Sequence, residues 1–195
     1  MSARARVFVA VDVGDEVRRE VTRVIESLTG KLEAVKTPPK VTWVKPAALH
    51  VTIRFIGEVE QPEVERLQQL LMPPIAIEPF ELEWRGIGTF PSPKHPRALW
   101  LGVVRGAAAL AEVEAEVSKR LAGAGAVAIA DKAFLPHLTL GRVKMAGVGV
   151  DWPKVLKSVE VKNVISIVDR VTLYRSELSQ RGPHYTGLVS APLTR

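Results

Sequence analysis

His50-Val-Thr-Ile-Arg-Phe-Ile-Gly57, "HVTIRFIG", sets a histidine and a threonine two positions apart in an otherwise apolar stretch. Successive side chains of a β-strand point to opposite faces. His50, Thr52 and Arg54 therefore share one face by strict alternation, and Val51, Ile53 and Phe55 share the other. The same order returns far downstream in "HLTLGRVK", residues 137–144, where His137 and Thr139 lie opposite Leu138 and Leu140. An apolar face on each strand packs into a core, and a His/Thr pair on the open face is free to meet a ligand.

Outward from these strands the pattern is mixed. "RVFVAVDV" (6–13) reads as a strand, and a helix opens at Gly14 and Asp15 with Val17, Val21, Val24, Ile25 and Leu28 at helical spacing. "KTPPK" is a loop and "VTWV" a short strand. "QPEVERLQQLL" is a helix with Pro62 in its first turn. From Phe80 the pattern restarts: "FELEWRGIGTF" and "RALWLGVV" are strands split by the Pro-rich loop "PSPKHP". "GAAALAEVEAEVSKRLAGAG" is a helix ended by glycines, and "FLPHLTLGRVK" a strand. "DWPKVLKSV" is a short helix, and "VISIVDRVTLYRSEL" and "HYTGLVSAPL" close the chain as strands. The expected fold is α+β, with two similar lobes in a single domain over residues 1–195.

Composition narrows the chemistry. The chain has no cysteine, which excludes disulfides, thiolate catalysis and cysteine-ligated zinc, and fits a reducing compartment. The N-terminal apolar run is short and closed by acidic residues, so it reads as a strand and not a signal peptide. No apolar segment approaches the roughly 20 residues needed to span a bilayer. A soluble, cytoplasmic protein is expected. The 27 Lys and Arg against 21 Asp and Glu give a formal charge of +6. That excess suits anionic partners such as RNA, although ordinary solubilising charge explains it equally well. A single asparagine, Asn163, fits a hot-growing source.

If the two strands are neighbours, two imidazoles and two hydroxyls surround one point. One imidazole can then remove a proton while the other protonates a leaving oxygen, and threonine hydroxyls and an arginine suit phosphate oxygens. That combination fits phosphoester cleavage without a metal. The His-x-Thr spacing is weak evidence alone. Histidine on a half-exposed strand is more often structural, threonine favours strands, and "HYTG" (184–187) repeats the spacing without the flanking aliphatic residues. A catalytic zinc wants three protein ligands and no HExxH cluster occurs; no G-x-S-x-G elbow, Walker loop or G-x-G-x-x-G is present. Neither a metal nor a nucleotide cofactor is expected.

The two motifs, with "RVFVAVDV", "LHVTIRFIGEV", "FPSPKHPRALWLGV", "LPHLTLGRVK" and "LYRSELSQRGPHYTGL", resemble the 2H phosphoesterases. They are most similar to the RNA 2′,3′-cyclic phosphodiesterases, also called 2′-5′ RNA ligases. The resemblance implies two pseudo-symmetric lobes of antiparallel sheet, helices outside, and the active-site cleft between them. It implies His50 as proton donor to the departing O3′, His137 as the base that activates water, and a 2′-phosphate as product. Reversal with a 5′-hydroxyl in place of water would join RNA ends. Thr52, Thr139 and Arg142 would bind the phosphate, although strict alternation puts Arg142 opposite His137 unless a bulge or strand end intervenes. Phe8 and Tyr185 are candidates for stacking on the terminal base. The implied partner is RNA ending in a 2′,3′-cyclic phosphate, tRNA fragments included, and the implied state a monomer. Two alternatives stand beside this reading: a non-catalytic RNA-end binder, and a 2H enzyme acting on a small cyclic phosphate.

Overall fold

Val17, Val21, Val24, Leu28 and Leu32 recur every three or four residues, and all five are buried. This stripe drives α1 (Asp15–Glu33) onto the protein interior. Val64, Leu67 and Leu71 do the same for α2 (Gln61–Leu71), which begins with Pro62 in its first turn. Leu110, Val113, Val117 and Leu121 do it for α3 (Ala107–Ala122). Each buried Val or Leu contributes about 1.5–3 kcal/mol of apolar transfer. The computed structural model describes residues 4–122, 133–179 and 182–195. The glycines expected to end α3, Gly123 and Gly125, lie outside those residues.

The strands are β1 (Arg4–Asp12), β2 (Lys40–Trp43), β3 (His50–Glu60), β4 (Phe80–Ser92), β5 (His95–Arg105), β6 (His137–Met145), β7 (Val164–Val168), β8 (Arg170–Ser179) and β9 (Gly182–Pro192). A short α4 (Trp152–Lys157) precedes β7, capped by the Asp151 side chain, which accepts from the Lys154 amide. The strands form two antiparallel sheets, ordered β3-β1-β8-β9 and β2-β6-β5-β4-β7. Helices α2 and α3 pack against the first sheet, and α1 and α4 against the second. The α+β, two-lobed fold is as expected.

The lobes are not successive halves of the chain. The short β2 crosses from the N-terminal half into the second sheet, and β8 and β9 return to complete the first. Two local readings change accordingly. "VISIVDRVTLYRSEL" is not one strand: it breaks at Asp169, so that β7 edges the second sheet and β8 lies inside the first. The Pro-rich stretch is no loop either. Pro91 pairs with Pro96 and Ser92 with His95, which leaves only Pro93 and Lys94 to turn the β4–β5 hairpin. A register shift beside Pro91 accommodates the prolines.

Strand β3 is the edge of the first sheet and β6 the second strand of the other. Their Cα atoms approach within 8 Å, so the two His/Thr strands meet at the seam between the sheets. No helix of the described residues is long and apolar enough to cross a membrane.

Candidate active site

Each motif strand carries one extra residue at the fourth position of its motif. Opposite β1, Thr52 pairs with Ala10 and Arg54 with Val9, so Ile53 is bulged. Opposite β5, Thr139 pairs with Trp100 and Gly141 with Leu99, so Leu140 is bulged. Two consecutive residues turn inward at each bulge: Ile53 with Arg54, and Leu140 with Gly141. Alternation then resumes one residue out of phase.

The consequences run in opposite directions on the two strands. Arg54, placed on the histidine face by strict alternation, instead turns inward, 8% exposed, and pairs with Glu114 of α3 at 3.3 Å. Phe55 takes the outward direction, 53% exposed. On β6 the bulge brings Arg142 onto the side of His137 and Thr139, which removes the parity conflict. Gly141 makes this possible, because a Cβ there would meet Trp43 Cε3 at 2.7 Å and the Thr42 carbonyl at 3.1 Å.

The two imidazoles are held alike. His50 Nδ1 lies 2.8 Å from the carbonyl oxygen of Ala48, and His137 Nδ1 lies 2.7 Å from that of Leu135. A carbonyl only accepts, so Nδ1 carries the hydrogen in each ring and Nε2 is the working nitrogen. Each histidine is thus fixed by the main chain two residues upstream, where the chain enters the strand. His50 Nε2 also lies 3.1 Å from Thr52 Oγ1, which donates to it when the ring is neutral.

Burial pushes the His50 pKa below the usual imidazole value. The hydrogen bond to Ala48 and the Asp12 carboxylate oppose that shift, while Arg18 and His137 reinforce it. His137 therefore sits within electrostatic reach of His50. Asp12 stands opposite His50 in the β1–β3 register, and both its oxygens accept from the Tyr174 hydroxyl, at 2.8 and 2.9 Å. Burial and Asp12 together push Tyr174 up to about 12. The Arg18 side chain donates to the carbonyl oxygens of Val13 and Pro46, which ties the end of β1 to the turn before β3.

Aromatic rings flank both histidines. Phe8 lies 4.9 Å from the His50 ring and Tyr185 meets it edge-on at 5.2 Å. Phe90 meets His137 edge-on at 5.1 Å, with Trp100 at 6.3 Å. Phe8 is not a free stacking surface for a base. It is 4% exposed, and its ring packs among His50, Tyr174 and Tyr185 as the floor beneath them. Tyr185 is partly exposed and lies within the fields of Arg6 and Arg142.

His50, His137, Thr52, Thr139, Arg142 and Tyr185 thus surround one seam. Asp12, Arg18, Tyr174, Phe90 and Trp100 join them without a motif to announce them. All but Arg18 do fall inside the quoted segments: Asp12 in "RVFVAVDV", Phe90 and Trp100 in "FPSPKHPRALWLGV", and Tyr174 in "LYRSELSQRGPHYTGL". Among the described residues no three metal-ligating side chains come together. Chemically, the arrangement offers two Nε2 positions that exchange protons across a shared space, with hydroxyls and a guanidinium for an anion between them.

Residues 16–100 match the family model of LigT-like phosphoesterases. A curated RNA 2′,3′-cyclic phosphodiesterase of Methanothermobacter thermautotrophicus is 31% identical over 187 residues, which cover 95% of this chain and 97% of that protein. One from Archaeoglobus fulgidus is 37% identical over 139 residues, 71% of this chain and 73% of its own. A solved Thermus thermophilus structure superposes with a TM-score of 0.70 at 26% identity, covering 96% of this chain and 97% of that one. E. coli LigT, solved with NADP+, gives 0.70 at 25% identity over the full length of both chains. The chain belongs to the LigT-like phosphoesterases of the 2H superfamily.

Proposed function

We propose that this chain is a metal-independent RNA 2′,3′-cyclic phosphodiesterase that opens a terminal cyclic phosphate to a 2′-phosphomonoester. One observation carries the reading: two imidazoles at one seam, each with Nδ1 held by a main-chain carbonyl and Nε2 left to exchange a proton. A structural histidine has no need of a twin locked in the same tautomer on the facing strand.

In the forward reaction His137 Nε2 takes a proton from water as the water oxygen bonds to phosphorus. The P–O3′ bond breaks, and His50 Nε2 delivers its proton to the departing O3′. Burial disfavours the proton on His50, and the negative charge of a bound phosphodiester counters that. Thr52, Thr139 and Arg142 hold the non-bridging oxygens, and Tyr185 borders the terminal nucleoside. The main-chain hydrogen bonds keep both rings oriented throughout the proton transfers. The substrate class is RNA fragments with cyclic ends, tRNA fragments among them, handled in the cytoplasm by a monomer of one two-lobed domain.

The test is a short RNA ending in a 2′,3′-cyclic phosphate, incubated with the protein in EDTA, its products resolved as 2′- or 3′-phosphate. Conversion to the 2′-phosphate is expected, reduced about 10²–10⁴-fold by His50→Ala and by His137→Ala with the fold retained. A wild-type protein that binds the RNA without converting it would overturn this reading in favour of an RNA-end binder. Activity abolished by EDTA would overturn the metal-independent mechanism.

A further inference from the structure

Phe55 is the one aromatic among the large apolar side chains that the described residues leave exposed, at 53%. It stands out because β3 is bulged on both sides of it. Ile53 is the extra residue on one side. On the other, Val7 pairs with Gly57 and Phe8 with Phe55, so Ile56 is skipped. Gly57 sits at φ +99°, a conformation that L side chains rarely adopt. An edge strand bulged twice twists away from further pairing and re-aims what lies between the bulges.

Phe55 is not bare on the side of β1. The Arg6 guanidinium lies over its ring, with Cζ 4.9 Å from the centroid. Arg6, Phe8, Ala10 and Asp12 alternate onto one face of β1, and Asp12 and Ala10 stand opposite His50 and Thr52. The Arg6–Phe55 pair therefore continues the face that carries the site, with Phe8 between them. At a rise of about 3.3 Å per residue, Phe55 lies roughly 15 Å along β3 from His50. Arg6 and Arg142 both act on Tyr185 electrostatically, which sets two guanidiniums near the ring that borders His50, although Glu58 stands opposite Arg6 in the register. An exposed aromatic beside a guanidinium, continuous with a phosphate-handling site, has the composition of a single-stranded nucleic-acid platform.

We propose that Phe55, backed by Arg6, is a stacking platform for a nucleobase upstream of the terminal nucleotide, so that the protein prefers an oligoribonucleotide end over a mononucleotide. This rests on the cyclic-phosphodiesterase reading for its catalytic readout. The ring takes the base, which is sequence-tolerant because every base has a π-face, and Arg6 neutralises the adjoining phosphate.

The test measures kcat/KM for a short RNA ending in a 2′,3′-cyclic phosphate and for the mononucleoside 2′,3′-cyclic phosphate of the same end, and uses the RNA-to-mononucleotide ratio as the readout. The ratio is expected to fall about tenfold in Phe55→Ala and to return in Phe55→Trp. Arg6→Gln should lower it by a smaller factor and make it less salt-dependent. With the upstream bases replaced by abasic residues, wild type and Phe55→Ala should become equal. An unchanged ratio in Phe55→Ala overturns the platform, as does a defect that survives abasic substitution. Wild-type protein inactive on both substrates overturns the phosphodiesterase reading alone. The platform is then decided by fluorescence anisotropy of the same RNA, where equal Kd for wild type and Phe55→Ala would overturn it.

Discussion

Replacing Gly141 by alanine adds one carbon at the point where β6 leaves its bulge, and the outcome can be worked out from its neighbours. The new Cβ would meet Trp43 Cε3 at 2.7 Å and both the Thr42 carbonyl oxygen and Val41 Cγ1 at 3.1 Å. All three atoms belong to β2, an edge strand of four residues, so relief comes from β2 moving outward or Trp43 turning away. Overpacking of this kind costs about 1–3 kcal/mol. The lost freedom of the unfolded chain returns only about 0.4–1 kcal/mol. The net expectation is a destabilisation of about 1–2 kcal/mol, or a Tm lower by about 2–8 °C for a chain of this size. Function should suffer with it. Arg142 follows Gly141 and pairs with Thr42, so a displaced β2 re-aims the guanidinium. A shift near 1 Å can cost up to about 10²-fold in kcat/KM. Gly30→Ala is the control: nothing stands within 4 Å of its Cβ, it lies in α1, and it should stabilise by about 0.5–1 kcal/mol. Urea denaturation and cyclic-phosphate turnover of the two variants decide the matter. Gly141→Ala with wild-type stability and wild-type turnover would refute the view that β2 pins the bulge and aims Arg142.

Other expectations follow from the same geometry. The His50 pKa is lowered in the folded state from its ordinary 6.5, so below 6.5 the unfolded chain binds the proton first. Stability contributed by neutral His50 is complete above that pH and lost as pH falls toward the folded value; His50→Gln should remove this slope in denaturation measured across the window. Asp12→Asn removes the carboxylate that favours protonated His50, so the His50 NMR titration and the alkaline limb of kcat/KM should both move to lower pH. A limb that stays in place would deny His50 the role of acid or Asp12 its influence. Glu114→Ala should destabilise by about 2–4 kcal/mol, since it takes the carboxylate from a guanidinium 8% exposed. Arg54→Met should cost much less, because it removes the buried charge itself; calorimetry of both would show equal losses if the pair were merely a surface contact.

Much of this was open to view in the residues. Helix α2 was expected over "QPEVERLQQLL" and spans Gln61–Leu71, because a proline start and a clean apolar stripe leave few alternatives. The first two residues of alternation in each motif strand are real, so His50 with Thr52 and His137 with Thr139 are placed correctly. The bulges were invisible because Ile53 and Leu140 are aliphatic, and an aliphatic residue satisfies either face. One inserted residue reverses the side chains that follow it up to the next bulge, which turns Arg54 inward and Phe55 outward on β3 and brings Arg142 to the histidine side of β6. Trp100 and Tyr174 reach the site through pairing with distant strands, a relation that no local pattern encodes. The break at Asp169 is hidden in the sequence because apolar residues on both sides serve two different sheets equally well.

The interleaving of the two sheets has a consequence for how the protein emerges from the ribosome. Strands β1 and β3 are complete once residue 60 has been made, but the other neighbour of β1 starts only at Arg170. A two-stranded ribbon is marginal in water, so the first histidine strand waits on an unfinished scaffold while more than a hundred residues are translated. The second histidine arrives at position 137 in that interval, before β8 and β9 exist to close the first sheet. His50 does not acquire its full surroundings until Tyr185 has been added and β9 docks. A transcript truncated between position 137 and the C-terminal hairpin therefore yields a chain with both histidines and no finished site.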